Sequence, residues 1–171
     1  MIIAPAQPDN ILTSSKIGLG PVARSSESRK DDVRVSYEFF PPKNRAMEKT
    51  LWSTLHQLER YNPDFASVTY GAGGTTRNRT IDTVTRIVNE TGLKPAAHLT
   101  CVGARREAID DISRELWNGG VRHIVALRGD PPGGVDKNYV PTHGGYAYGS
   151  DLVAGLKSIA DFDVSVSAYP E

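Results

Sequence analysis

Cysteine, net charge and long apolar runs are all scarce or missing in this sequence. Cys101 is the only cysteine among 171 residues, which excludes a disulfide within the chain and favours a reducing, cytoplasmic setting. Twenty basic residues balance twenty acidic residues, so no overall charge attracts nucleic acid. No apolar run approaches the roughly 18 residues that span a bilayer, and we identify no signal peptide. We therefore expect small-molecule partners rather than nucleic acid or a membrane.

The remaining composition is that of an ordinary globular domain. Hydrophobic residues make up 39% and charged residues 23% of the chain, which is typical of a folded protein. Residues 1–32 differ, because they are rich in Ser, Pro, Asp and Arg and show no sustained period. We predict a flexible polar leader over residues 1–32 and a single domain over residues 33–171.

Short apolar runs alternate with helical patterns throughout that domain. The runs contain β-branched or aromatic residues and predict five buried strands, at Val33–Phe40, Phe65–Tyr70, Pro95–Val102, His123–Leu127 and Val164–Tyr169. The gaps carry apolar residues at helical spacing, and Ser150 is the predicted N-cap of the fourth helix. This alternation predicts an α/β protein with a parallel sheet and right-handed crossovers.

Two architectures fit five βα units: an open doubly wound sheet and part of an eight-stranded (βα)8 TIM barrel. Barrel enzymes draw their chemistry from the carboxyl ends of several strands. The predicted strands end in polar residues at Glu38, Thr69, His98 with Thr100, Arg128 with Asp130, and Tyr169 with Glu171. We therefore favour the barrel, with about the first five units present.

Glu38 is unusual because it lies in an otherwise apolar strand, and Pro41 and Pro42 end that strand just after it. Burial disfavours an ionised carboxylate, and a carboxylic acid that stays partly protonated near neutral pH suits general-acid catalysis. A structural carboxylate paired with lysine or arginine fits the same pattern.

The segment LRGDPPGG, residues 127–134, follows the fourth strand. Gly129 lets a ligand approach the backbone, Arg128 can hold a phosphate, and Asp130 can accept hydrogen bonds from an amide-like ring edge. A tight turn with a local ion pair explains the segment equally well.

Other candidate features have simpler explanations. GAGG, residues 71–74, matches neither the dinucleotide nor the P-loop motif. A lone strand histidine such as His98 is usually a core residue, and so is a cysteine without a catalytic pattern such as Cys101. No group of residues has metal-ligand spacing, so we predict no metal site. In the glycine-rich loop over residues 133–149, Tyr146 and Tyr148 either cover a flat ligand or pack the loop.

Taken together, these segments resemble the bacterial methylenetetrahydrofolate reductase family. The matching stretches cover residues 33–171 almost continuously and in the order of the family: VSYEFFPPKN, FASVTYGAGG, AAHLTCVG, WNGGVRHIVALRGDPPGG, GSDLV and SVSAYPE. The resemblance implies a TIM barrel that binds FAD non-covalently. It also implies reduction of 5,10-methylenetetrahydrofolate to 5-methyltetrahydrofolate with NADH, or NADPH, in methionine biosynthesis, and a possible homo-oligomer.

The resemblance also implies roles for particular residues. Glu38 matches the acid that assists opening of the folate ring, and Asp130 matches an aspartate near the flavin and the folate. Matches to flavin- or nicotinamide-contacting positions are Thr69, Tyr70, Ala72, His98, Leu127, Arg128, Gly129, Asp130, Gly149 and Tyr169. Related sequences often carry alanine where this chain has Gly149.

The family chain continues for roughly three more βα units, which carry further flavin and folate contacts. A flavin-dependent reductase is therefore one hypothesis. A non-catalytic flavin- or folate-binding fragment is the second, and a flavodoxin-like electron carrier is a third that lacks a recognisable phosphate loop.

Overall fold

The computed structural model describes residues 3–5, 34–71, 76–131, 133–134 and 137–167. Within these residues, strands and helices alternate along the chain. The strands are β1 (Ile3–Pro5), β2 (Ser36–Phe39), β3 (Phe65–Val68), β4 (Pro95–Thr100), β5 (His123–Leu127) and β6 (Asp163–Ser167). The helices are α1 (Arg45–Glu59), α2 (Arg77–Glu90), α3 (Arg106–Asn118) and α4 (Gly149–Ile159).

The five predicted strands correspond to β2–β6, with shorter bounds for most of them. Strand β5 has the predicted bounds. Strands β2, β3 and β4 end one or two residues earlier than expected, at Phe39, Val68 and Thr100. Strand β6 begins one residue earlier, at Asp163, and the predicted residues 168–169 lie outside the described part of the chain.

All six strands form one sheet in the order β1-β6-β5-β4-β3-β2. Neighbours from β2 to β6 pair in parallel. Strand β1 pairs antiparallel with β6, where Ile3 faces Ser167. Residues 3–5 of the predicted leader thus form a strand, and its other residues, 1–2 and 6–32, lie outside the described residues.

The strand order bears on the two predicted architectures. A doubly wound sheet reverses direction at a switch point, whereas a barrel adds each strand beside the previous one. Strands β2–β6 follow each other in chain order without reversal. Because parallel crossovers are right-handed, this order places every helix on the same face of the sheet. The fold is an α/β fold with a five-stranded parallel sheet, consistent with the barrel.

The two faces of the sheet differ in polarity. The side chains that face the helices form one apolar core, which includes Val68, Leu99, Ile124, Val164 and Leu55. Alternate residues point to the opposite face, because side chains alternate across a strand. That face carries Ser36, Glu38, Ser67, His98, Thr100, His123 and Ser165.

Local capping explains where two helices begin. The Asn44 side chain accepts a hydrogen bond from the Met47 amide at 3.0 Å, which caps α1. At α4, the Asp151 carboxylate accepts from the amides of Tyr148 (3.0 Å) and Ala147 (3.1 Å). The predicted N-cap at Ser150 is therefore wrong. The cap position is Tyr148, because the acidic side chain three residues further on supplies the acceptor.

Candidate active site

A cleft of about 900 Å³ opens at the carboxyl ends of the parallel strands, on the polar side of the sheet. Nine of the eleven residues predicted from the sequence line it: Glu38, Thr69, Tyr70, His98, Leu127, Arg128, Gly129, Asp130 and Gly149. The remaining two, Ala72 and Tyr169, lie outside the described residues. Parallel strands bring residues from distant parts of the chain to one edge, which is why the cleft unites the carboxyl ends of five strands, β2 to β6, with the start of α4.

Glu38 and His98 are in contact inside this cleft. Glu38 Oε2 lies 3.3 Å from His98 Nε2, across β2 and β4. The Glu38 side chain is 44% exposed, whereas the His98 side chain is 6% exposed. The expectation that Glu38 is buried is therefore wrong, because no described element covers this end of the polar face. The partner of Glu38 is a histidine rather than the lysine or arginine that the alternative explanation required.

His98 provides an uncharged partner for the carboxylate. Burial lowers the pKa of His98, while the charge of Glu38 acts in the opposite direction and His123 adds to the lowering. The burial effect is the largest, so the neutral imidazole is favoured near pH 7. A neutral imidazole can donate one hydrogen bond and accept another. It can therefore pair with the Glu38 carboxyl group whether that group is protonated or ionised.

The turn after β5 presents Arg128, Gly129 and Asp130 to the same cleft. The Arg128 guanidinium lies over the Tyr139 ring at 4.4 Å, and its Nε donates to the Gly129 carbonyl at 3.2 Å. Neither Arg128 nor Asp130 forms a salt bridge within the described part of the chain. The turn therefore leaves both charged groups to the cleft, without the local ion pair of the alternative explanation.

Packing explains Gly129 better than ligand access does. Its φ is +83°, and a Cβ at this position would lie 2.5 Å from Val102 Cγ1 and 3.0 Å from Thr100 Cβ. The missing side chain would point into the protein rather than into the cleft. Gly149 differs, because a Cβ there would meet only the Arg128 amide nitrogen, at 3.8 Å. An alanine fits at position 149 without displacement.

The two loop tyrosines have different roles. Tyr146 is 4% exposed, donates to Asp110 Oδ1 at 2.7 Å, and fills the space beside Gly155 of α4. Its pKa is raised to about 12, first by burial and then by the bond to Asp110. Tyr146 therefore packs the loop. Tyr148 is 54% exposed, and its ring lies 6.0 Å from that of Tyr139.

Five residues that the sequence analysis did not include in the site also line the cleft: Thr100, Ala126, Ser150, Val166 and Ser167. Strand alternation was the available signal for Thr100, because it is two residues from His98 on the same strand and shares its face. The Thr100 hydroxyl is buried and has no hydrogen-bond partner among the described residues, whereas His98 Nε2 is buried and lies 3.3 Å from Glu38 Oε2 in poor hydrogen-bond geometry. Such atoms normally find a partner, so this part of the cleft is suited to a polar ligand.

A second cleft, of about 930 Å³, lies at the amino ends of the strands. None of the sequence-predicted site residues lines it. Four of its polar side chains pair with each other, since Arg34 binds Asp64 at 2.5 Å and His123 Nε2 lies 2.8 Å from Ser165 Oγ. In βα barrels this end serves stability rather than chemistry, so the cleft at the carboxyl ends is the candidate site.

Cys101 is a core residue, as the simpler explanation held. It is fully buried, its thiol donates to the Arg128 carbonyl at 3.5 Å, and burial raises its pKa.

Across the described ranges, no three His, Cys, Asp or Glu side chains are grouped so that they could hold a metal ion. None of the helices that the structure describes is long and apolar enough to cross a membrane.

The protein is thus an α/β protein whose parallel strands follow each other in chain order across the sheet. Its candidate site lies at the carboxyl ends of these strands. The family model for methylenetetrahydrofolate reductase matches residues 23–171, and the chain belongs to this family.

Curated relatives agree with the family assignment. The chain is 49% identical to the 5,10-methylenetetrahydrofolate reductases of Salmonella typhimurium and Escherichia coli K12, over 81% of this chain and 45% of each relative. It is 36% identical to methylenetetrahydrofolate reductase (NADH) 1 of Arabidopsis thaliana, over 85% of this chain and 25% of that protein. The chain thus spans less than half the length of these relatives.

Proposed function

We propose that this chain forms the FAD-binding, acid-bearing part of a methylenetetrahydrofolate reductase barrel, which reduces 5,10-methylenetetrahydrofolate to 5-methyltetrahydrofolate with NAD(P)H. The observation that carries the proposal is the convergence of Glu38, His98 and Asp130 in one cleft, from the ends of three different strands. The proposal includes a cytoplasmic location and small-molecule substrates, as expected for one-carbon metabolism.

The residues of the cleft fit a flavin. A flavin ring has a polar edge of carbonyl and N–H groups and an apolar face. The unpaired Thr100 hydroxyl offers a polar partner, while Leu127 offers apolar contact. When bound, FAD would supply the hydride, and the protein would supply binding, orientation and a proton.

Glu38 is the proposed proton donor. Its side chain is 44% exposed toward the cleft, so a substrate placed there can meet the carboxyl group directly. The contact with His98 at 3.3 Å limits the positions of this carboxyl group. Proton transfer to the folate ring nitrogen would assist opening of the five-membered ring, which is general-acid catalysis.

Asp130 has a separate electrostatic role in the proposal. It lies in the turn after β5, lines the same cleft as Glu38, and has no salt-bridge partner among the described residues. A carboxylate near the substrate stabilises a cationic iminium carbon through charge attraction. The two acidic groups thus have two proposed purposes: Glu38 donates a proton, and Asp130 attracts the cationic carbon.

The proposal is tested with the purified chain and FAD. Uptake of flavin is read from the visible spectrum. NADH oxidation by menadione reports the first half-reaction, and methylenetetrahydrofolate reduction reports the second. Glu38→Gln should abolish folate reduction and leave NADH oxidation within about twofold, because only the second half-reaction needs the proton. Glu107→Gln, an exposed acid on α3, is the matched control.

Equal loss of both half-reactions in Glu38→Gln would refute the acid role. Flavin uptake without turnover in the unaltered chain would favour the second hypothesis, a flavin- or folate-binding fragment. A chain that takes up no flavin would contradict both.

A further inference from the structure

The polar face of β4 carries a buried hydroxyl group that has no assigned role. Thr100 is 4% exposed, and its Oγ1 has no hydrogen-bond partner among the described residues. Five other threonines, including Thr80 and Thr83, donate their hydroxyl groups to backbone carbonyls at 2.6–3.1 Å. Thr100 differs from these five.

Packing holds the carbon atoms of Thr100 in place. The Cβ that Gly129 lacks would lie 3.0 Å from Thr100 Cβ and 3.3 Å from Thr100 Cγ2. The carbon side of Thr100 thus packs against the Arg128–Asp130 turn. The ladder aligns Thr100 with Leu127 of β5, so the side chain lies at the floor of the cleft, next to His98 on the same face of β4.

An unpaired hydroxyl at this position is unfavourable for the ligand-free protein. A buried donor or acceptor without a partner retains its full desolvation cost, whereas an apolar group of the same shape does not. Valine has that shape and would fill the same volume. The accessible area of Oγ1 is below 1 Å² in the ligand-free chain, so neither bulk water nor a ligand reaches it without a movement of the surrounding side chains. Because Thr100 lines the cleft, a group that packs onto β4 is the partner that such a movement would admit.

We propose that Thr100 is a ligand-binding residue of the site, whose hydroxyl group hydrogen-bonds the polar edge of the bound flavin ring beside His98. This inference rests on the proposed function and adds to it a specific contact on the floor of the cleft. It predicts that the hydroxyl group contributes to flavin affinity while it lowers the stability of the ligand-free chain.

The test compares Thr100→Val, which removes the hydroxyl and keeps the shape, with Thr100→Ser, which keeps the hydroxyl. FAD dissociation constants are measured by quenching of flavin fluorescence, and melting temperatures are measured without FAD. Thr100→Val should bind FAD about tenfold more weakly, since loss of one hydrogen bond is worth about that factor. It should also melt about 3 °C higher when ligand-free. Thr100→Ser should bind within about threefold of the unaltered chain.

Thr83→Val is the matched control, because Thr83 is equally buried but its hydroxyl donates to the Arg79 carbonyl at 2.6 Å, away from the cleft. It should leave FAD affinity unchanged and should not raise the melting temperature. If Thr100→Val does not fold, Thr100→Ala replaces it in the affinity measurement.

Equal FAD affinity in Thr100→Val and the unaltered chain would overturn the inference and leave the proposed function standing. Absence of FAD binding by the unaltered chain would refute the proposed function, and the inference with it.

Discussion

Replacement of Gly129 by alanine should destabilise the turn that carries Arg128 and Asp130. At φ +83° an alanine adopts the left-handed region, which costs about 1 kcal/mol. Its Cβ would also lie 2.5 Å from Val102 Cγ1, and overpacking of this kind costs about 1–3 kcal/mol. The expected loss of unfolding free energy is therefore about 2–4 kcal/mol, a large share of the roughly 5–15 kcal/mol typical of a domain.

Gly103 provides a control within the same chain. Its φ is +75°, but a Cβ there would meet no atom within 4 Å. Gly103→Ala thus carries the backbone strain alone and should cost about 1 kcal/mol. The excess loss in Gly129→Ala measures the packing of the turn against β4. A third variant, Gly129→Ala with Val102→Ala, removes the overlapping methyl group and should cost at least 1 kcal/mol less than the sum of its single changes.

Urea unfolding, followed by far-ultraviolet circular dichroism, measures these differences. The midpoints should fall in the order unaltered chain, Gly103→Ala, Gly129→Ala, with the slope unchanged. If Gly129→Ala unfolds at the same urea concentration as Gly103→Ala, the overlap with Val102 has no energetic effect and the reasoning is wrong. Additive losses in the double variant would lead to the same conclusion.

Two further predictions concern stability. Tyr146→Phe removes the hydroxyl that donates to Asp110 at 2.7 Å. Because half-exposed Asp110 can regain water, thermal unfolding should show that the free energy of unfolding falls by about 1–2 kcal/mol. A fall of less than about 0.3 kcal/mol would contradict the role of this bond. Burial lowers the pKa of both His98 and His123. As the pH falls, these histidines therefore bind protons in the unfolded chain before they do so in the folded chain. The free energy of unfolding is then greatest above the ordinary histidine pKa of about 6.5 and decreases as the pH drops below it. Urea midpoints at pH 7.5 and 5.5 should show this fall, and His123→Gln should reduce it; an equal fall in that variant would exclude His123 as a cause.

Much of the fold was predictable because its signals are local. Strand β5 has the predicted bounds, since its apolar run lies between Gly120 and the polar turn at Arg128. Site residues were predictable where a strand end or a family motif marked them. Thr100 was not assigned to the site, because its missing hydrogen bond is a property of the packed structure.

Other features depend on groups that are distant in the sequence. The exposure of Glu38 depends on what covers β2, and apolar neighbours in the sequence cannot specify this. Tyr146 looked equivalent to Tyr148, but only Tyr146 meets Asp110 of α3 and Gly155 of α4. The start of α4 was misplaced because Asp151, rather than Ser150, accepts the hydrogen bonds at the helix entrance.

Strand β1 has a consequence for the order in which the sheet assembles. Each parallel pair joins residues about 27 to 40 positions apart, whereas Ile3 and Ser167 are about 160 positions apart. Closing the longer loop costs about 1.5 kcal/mol more in chain entropy, and only three residues contribute to the pairing. Strand β1 should therefore join the sheet last and leave it first. Its departure would free the outer edge of β6, the position at which a barrel adds its next parallel strand.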